Sequence, residues 1–159
     1  MTDRPNYITP EGYARMRERY EALFSIERPK LVETISWAAG NGDRSENGDY
    51  IYGRKKLREI DRELSHLSRR MKAAKVVDPA AQGDRGKVYF GATVTIADDD
   101  DAERTVTLVG EDEADASAGR ISWRSPLAGA LKGAAVGDVR RVSLPTGSKE
   151  WEVVGIKYP

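Results

Sequence analysis

Leu57, Ile60, Leu64, Leu67, Met71 and Ala74 keep a strict alternation of three- and four-residue steps. A stripe that narrow is the seam of a coiled coil, where apolar residues at a 3.5-residue period meet a partner helix; a globular helix needs a wider stripe. Followed backwards, the seam reaches Gly53 and Tyr50. Glycine is a poor helix residue, so Gly53 on the seam predicts close helix approach there. The partner lies upstream. Thr9-Pro10-Glu11 reads as a helix start: a capping hydroxyl, a proline suited to the first helical position and a carboxylate at the positive end of the dipole. Tyr13, Met16, Tyr20 and Leu23 then keep 3-4-3 spacing, and Leu31, Ile35 and Ala38 resume it, with Val32 and Ala39 beside that stripe and Trp37 off it. Pro29 lies between the two runs and predicts a kink or short break.

The two helical stretches are joined by Gly40-Asn41-Gly42-Asp43-Arg44-Ser45-Glu46-Asn47-Gly48, a reversal with three glycines. A short connection makes the helices antiparallel neighbours. A helix of roughly 30 residues is about 45 Å long, so the hairpin is expected to project as a rod with a polar tip.

A small-residue, polar stretch from Pro79 to Arg85 marks the boundary, giving a coiled-coil hairpin over 1–78 and a second domain over 79–159. Strand-like runs follow at Gly86–Phe90, Ala92–Ala97, Glu103–Val109, Arg120–Trp123, Val139–Leu144 and Trp151–Lys157. Val94/Ile96 and Val106/Leu108 alternate with threonines, as half-buried strands do. Asp98–Asp101 lacks calcium-loop spacing and reads as a solvated hairpin turn. Ser125-Pro126 opens one short helix, Leu127–Leu131; Gly133, Gly137 and Asp138 make a turn, and Pro145-Thr146-Gly147 turns the last hairpin. The fold class is α+β: an antiparallel helical hairpin followed by a small β-rich domain.

Composition excludes several chemistries. There is no cysteine and one histidine, His66, so disulfides, thiolate metal sites and histidine-rich zinc sites are out. No nucleophilic triad or phosphate-binding glycine loop is present. No apolar run has the length of a membrane span, and the polar start does not resemble a signal peptide, so a cytoplasmic protein is expected. Charge is balanced overall but unevenly placed: residues 1–78 carry 16 basic and 13 acidic residues. Arg54–Lys75 alone holds nine basic residues against Glu59, Asp61 and Glu63. A basic helix on a neutral protein points to a local polyanion contact.

Asp43 and Glu46, at i and i+3 in the reversal, read two ways. As a capping box, Asp43 or Ser45 caps the second helix and Glu46 sits in its first turn. Alternatively both carboxylates face outward and hold a hydrated Mg²⁺, an ion that takes one or two protein carboxylates and completes its shell with water and phosphate. A lone tip binds such an ion weakly, so a second macromolecule has to supply the other ligands.

Trp37-Ala38-Ala39, then Gly42-Asp43-Arg44-Ser45-Glu46-Asn47-Gly48-Asp49-Tyr50, then Lys55-Lys56-Leu57-Arg58-Glu59-Ile60-Asp61, resemble the bacterial transcript cleavage factors of the GreA/GreB family, in wording nearer the GreB type. Ile121-Ser122, Ser125-Pro126-Leu127-Ala128-Gly129-Ala130-Leu131 and Gly137-Asp138 resemble its C-terminal signature, and the similarity runs from about Ile8 to Tyr158. The resemblance implies an FKBP-like second domain that docks at the rim of the RNA polymerase secondary channel, with Ser125, Pro126 and Leu127 in the docking signature. It implies that the coiled coil enters the channel and that Asp43 and Glu46 help hold a Mg²⁺ shared with the polymerase active site. The polymerase then cuts the 3′ end of a backtracked nascent RNA. The chain is thereby expected to be a monomeric activator and not itself an enzyme. Arg44, Ser45 and Asn47 support the tip. Arg54, Lys55, Lys56, Arg58 and Arg62 are candidates for the RNA 3′ end, alongside Arg69 and Arg70, the alternative being a solvated coiled-coil flank. Two positions depart from the family pattern, Asn41 and Gly48.

Two other functions compete: a channel-binding regulator of the same fold that stimulates no cleavage, and a prolyl isomerase or chaperone suggested only by the implied fold. Among the remaining aromatics, Tyr50 is expected to pack across the hairpin, Trp37 either packs or stacks on a base, His66 is expected on the surface, and Trp123 and Trp151 serve as β-domain core or docking surface.

Overall fold

In the computed structural model, which describes residues 5–40 and 48–159, the chain divides into two units: Tyr13–Ala73, and Met1–Gly12 together with Ala74–Pro159. The sequence placed a single boundary at 78/79. The contacts instead assign the N-terminal dozen residues to the β-rich unit, because a short strand forms there that the sequence did not suggest.

The helical unit comprises α1 (Pro10–Ala22, which starts in the other unit), a π-helical turn (Leu23–Glu27), α2 (Arg28–Ala39) and α3 (Gly48–Ala73). The predicted break at Pro29 is absent. Proline lacks an N–H, and its ring meets the carbonyl four residues back, here that of Ser25. The π turn widens the helix just upstream, with the Arg28 N–H donating to Leu23 O, so helix continues through the proline.

The seam behaves as its spacing requires: Gly53, Ile60 and Leu64 are buried, and Leu23 joins Ile60 and Leu64 in a core flanked by Tyr20, Leu31 and Leu67. Each buried Leu or Ile contributes roughly 1.5–3 kcal/mol, so this thin core rests on a few side chains. A Cβ at Gly53 would lie 2.7 Å from Ile35 Cγ1, which explains a glycine at this seam position, where α2 packs tightly on α3. Two arginines tie the flanks: Arg28 Nε is 2.8 Å from Asp61 Oδ1, and Arg19 Nε is 2.9 Å from Glu63 Oε2. The seam ends one residue earlier than expected, since Ala74 opens a strand.

That strand is β2 (Ala74–Val76), which pairs in parallel with β1 (Asn6–Ile8) in the register Asn6↔Ala74, Ile8↔Val76. The main sheet contains β3 (Thr93–Ala97), β4 (Glu103–Val109), β5 (Arg120–Ser122), β6 (Val139–Leu144) and β7 (Gly147–Lys157), in the order β5-β4-β3-β7-β6. All neighbours are antiparallel except β4 and β5. One face carries Val94, Ile96, Val106 and Leu108 into the core. On the other face Thr93 meets Thr107 at 2.9 Å and Thr95 meets Thr105 at 3.2 Å, the cross-strand pairs that the threonine alternation encodes. The helix α4 (Pro126–Leu131) buries Ala128 and Leu131 in the same core.

Turn chemistry follows the sequence. Asp98 Oδ1 accepts from the N–H groups of Asp100 and Ala102 at 2.9 and 3.0 Å, closing the β3–β4 hairpin. These backbone N–H bonds, that of Ala102 foremost, hold the Asp98 carboxyl below the usual range. Gly86–Phe90 is not a strand. Only Lys87 forms an isolated bridge, to Ala135, and the chain then turns at Gly91, whose φ of 89° and contact with Pro79 leave no room for a side chain. The segment is instead pinned by Tyr158, whose hydroxyl donates to Lys87 O (2.7 Å) and accepts from Tyr89 N (2.9 Å).

Candidate functional site

The exposed face of α3 is the first candidate. Counting from the seam, Lys55, Arg58, Arg62 and Arg69 fall on the side away from Ile60 and Leu64, and all are exposed. Arg54 and Lys56 are exposed beside them. Of the three acidic residues in this stretch, two are committed elsewhere: Asp61 pairs with Arg28, and Glu63 with Arg19. Its hydrogen bonds from Arg19 hold the Glu63 carboxyl below the usual range. The cross-hairpin pairs thus withdraw negative charge to the flanks. Lys55, Arg58 and Arg62 form no ion pair among the described residues, and this solvent-facing side is predominantly cationic, with Glu59 the exposed acidic residue on it. Arg54 is ordered differently, with Nη1 donating to the Tyr50 hydroxyl at 3.1 Å and its guanidinium 5.8 Å from that ring. Tyr50 is half-buried, while Trp37 (64% exposed) and Tyr52 (67% exposed) are open to solvent near the same end. His66 is exposed.

The tip residues Asp43, Glu46, Arg44, Ser45 and Asn47, together with Asn41, lie outside the described residues. On either side of them, α2 ends at Ala39, with the Gly40 N–H donating to Ser36 O and Trp37 O, and α3 begins at Gly48. The tip is therefore carried between two antiparallel helix ends. Among the described residues no group of three or more histidine, cysteine or acidic side chains could hold a metal.

A second candidate is the start of α4. Ser125 Oγ accepts from Ala128 N at 3.3 Å and Pro126 takes the first turn, the cap and proline pattern read from the sequence. Leu127 is half-buried against the core and Pro126 is exposed. Ser125, Pro126 and Leu127 line a groove of about 390 Å³ with Val142, Leu144 and Trp151. Trp151 packs on the core and carries Lys149 Nζ 4.6 Å from its ring centre.

Two features escaped the sequence reading. Glu113, in the 3₁₀ turn Glu111–Glu113, is buried and accepts from Thr9 N (2.7 Å), Thr9 Oγ1 (2.5 Å) and Gly110 N (2.9 Å). Thr9 Oγ1 also accepts from Gly12 N at 3.1 Å, so the residue that caps α1 is held by a carboxylate 104 positions away. Tyr7, Phe90 and Trp123 form the other feature: the Tyr7 ring centre lies 4.8 Å from that of Trp123 and 5.6 Å from that of Phe90. No local spacing joins residues 7, 90 and 123; only the β1–β2 pairing brings Tyr7 there.

Comparison with known proteins fits both halves of the chain. Residues 6–76 match the sequence model "Transcription elongation factor, N-terminal", and residues 82–158 match "Transcription elongation factor, GreA/GreB, C-term". Transcription elongation factor GreB of Neisseria meningitidis serogroup B is 46% identical over 99% of this chain and 96% of its own length. Transcription elongation factor GreA of Alkalilimnicola ehrlichii is 38% identical over 95% of this chain and 96% of its own. The solved structure of GreA factor homolog 1 (Gfh1) of Thermus thermophilus covers 97% of this chain and 99% of its own at 22% identity, with a TM-score of 0.44. With family models matched on both sides of residues 77–81, the chain belongs to the GreA/GreB family of bacterial transcription elongation factors, on its GreB side.

Proposed function

We propose that this chain enters the secondary channel of RNA polymerase and stimulates the polymerase's own cleavage of the 3′ end of backtracked RNA, rescuing arrested complexes. The observation that carries the reading is the charge arrangement on α3. Asp61 and Glu63 are drawn into cross-hairpin pairs, so Lys55, Arg58 and Arg62 face outward with no ion pair among the described residues, on the helix that follows Asp43 and Glu46 in the sequence. A cationic track follows the extruded RNA by phosphate neutralisation, and Asp43 and Glu46 precede that helix in the sequence.

Asp43 and Glu46 are two hard oxygen donors, a set that suits Mg²⁺ when water and phosphate complete the shell. Such an ion, shared with the polymerase, supplies activation of water and stabilisation of the leaving oxygen. This chain's own part is to present the two carboxylates on a rigid support and to orient them through Arg44, Ser45 and Asn47. The groove at Ser125, Pro126 and Leu127 docks on the polymerase rim. In this reading the factor acts as a monomer in the cytoplasm and is not an enzyme alone.

The test is a stalled, backtracked elongation complex with labelled RNA. Wild type is expected to shorten the RNA, and Asp43→Asn/Glu46→Gln to bind without shortening it. Binding by both without cleavage by either identifies a channel regulator, with Asp43 and Glu46 as helix caps.

A further inference from the structure

In the β-rich unit, a cavity of about 420 Å³ opens where the N-terminal strand meets the sheet and α4. Tyr7, Tyr89, Phe90 and Trp123 supply aromatic walls, Lys75 and Lys132 supply charge, and Gln82 is its one amide side chain. Among the described residues no carboxylate lines it. Neither lysine forms an ion pair among the described residues, and both are exposed. Lys75 Nζ lies 5.9 Å from the Tyr7 ring centre, so its charge sits at the edge of the aromatic surface. The volume falls in the range of small-molecule sites, and apolar walls with a few polar groups are their usual make-up. A second cavity of about 450 Å³ shares Tyr7, Trp123 and Lys132.

We propose that this cavity binds a free nucleoside 5′-phosphate, its base against Tyr7, Phe90 and Trp123 and its phosphate at Lys75 and Lys132. An aromatic wall, whose Tyr7, Phe90 and Trp123 rings pack on one another, beside two ammonium groups that form no ion pair among the described residues fits a molecule that is aromatic at one end and anionic at the other. An aliphatic acid leaves the rings unused, and a neutral nucleoside leaves the lysines uncompensated. Base–aromatic contacts are worth roughly five- to hundredfold in affinity each, independent of base identity. Gln82, both donor and acceptor, can meet the edge of any base. The site uses none of the tip residues and stands whether or not the chain promotes RNA cleavage.

The test is calorimetric titration of the full chain with AMP, adenosine and inorganic phosphate. A Trp37→Phe/Trp151→Phe background, in which Trp123 is the remaining tryptophan, adds a fluorescence readout. AMP is expected to saturate with a Kd below about 1 mM and to change Trp123 emission, with adenosine about tenfold weaker. Lys75→Ala/Lys132→Ala, at exposed positions, should weaken AMP by about tenfold and leave adenosine unchanged. The tip variant Asp43→Asn/Glu46→Gln should bind AMP as wild type does. No saturation by AMP up to about 10 mM, or equal AMP affinity in the lysine variant, would overturn the proposal, as would inorganic phosphate binding as tightly as AMP.

Discussion

Replacing Glu113 should destabilise the β-rich unit by an amount that depends on which acceptors survive. One oxygen, Oε2, takes the N–H groups of Thr9 (2.7 Å) and Gly110 (2.9 Å), and the other, Oε1, takes the Thr9 hydroxyl. Glu113→Gln keeps one oxygen for the two N–H donors and turns an NH₂ toward Thr9 Oγ1, which can rotate to accept it. What is lost is the charge on the acceptor. Bonds to charged groups contribute about 1.5–3 kcal/mol and neutral ones about 0.5–1.5, so two weakened bonds cost about 2 kcal/mol. Glu113→Ala removes both acceptors and leaves the Thr9 and Gly110 N–H groups without partners, at about 1–3 kcal/mol each, or about 4 kcal/mol together. Equilibrium unfolding in urea, followed by Trp123 fluorescence in the single-tryptophan background, measures both. Thr9→Val combined with Glu113→Gln should cost less than the sum of the two, because each removes the same hydroxyl–carboxylate bond. If Glu113→Gln and Glu113→Ala are equal, or both lie within about 0.5 kcal/mol of wild type, the carboxylate does not hold the N-terminal strand and the reasoning fails.

Further outcomes follow from the same geometry. Gly53→Ala gains about 1 kcal/mol in helix propensity but drives a methyl against Ile35 Cγ1; overpacking costs about 1–3 kcal/mol, so thermal unfolding should show a lower midpoint, and Ile35→Ala should cancel the penalty. Burial raises the Tyr158 phenol above its ordinary value, so its contribution is complete below about pH 10 and is lost as pH rises through the folded-state value. The stability gap between wild type and Tyr158→Phe should accordingly narrow in alkali, as a pH series of unfolding curves would record. Arg58→Ala/Arg62→Ala should lower the salt dependence of binding to a backtracked complex by about 0.7 in the log–log slope per lost phosphate contact, and leave binding to a complex without extruded RNA unchanged.

The sequence disclosed most where one residue sees its partner at a fixed period. The α3 seam, the threonine pairs of β3 and β4, the Ser125-Pro126 cap and the Asp98 turn are all local patterns, and each forms as its spacing requires. The kink or short break expected at Pro29 takes the form of a π turn just upstream with the helix continuing through the proline, an outcome that carries no residue signature in the sequence. Gly86–Phe90 has strand composition, yet Tyr158 and Ala134 take its hydrogen bonds, a competition invisible without the fold. Long-range pairing was hidden for the same reason. Nothing near Asn6–Ile8 announces a strand partner at Ala74–Val76, and so neither the Glu113 anchor nor the Tyr7–Trp123 contact could be foreseen. Of the candidate site, the basic residues could be ordered along α3 from the sequence. That Asp61 and Glu63 are withdrawn from that face required the cross-hairpin pairs.

If Asp43 and Glu46 act by helping to hold a metal ion in the polymerase, the rate of RNA cleavage in a backtracked complex, measured as a function of Mg²⁺ concentration with saturating wild-type factor, Asp43→Asn or Glu46→Gln, tests it most directly. Loss of one carboxylate ligand should move the half-saturating Mg²⁺ concentration upward by about tenfold or more, with partial recovery of the rate at high Mg²⁺. A reduced rate with the same Mg²⁺ dependence as wild type would contradict the account and leave the two carboxylates as caps of the second helix.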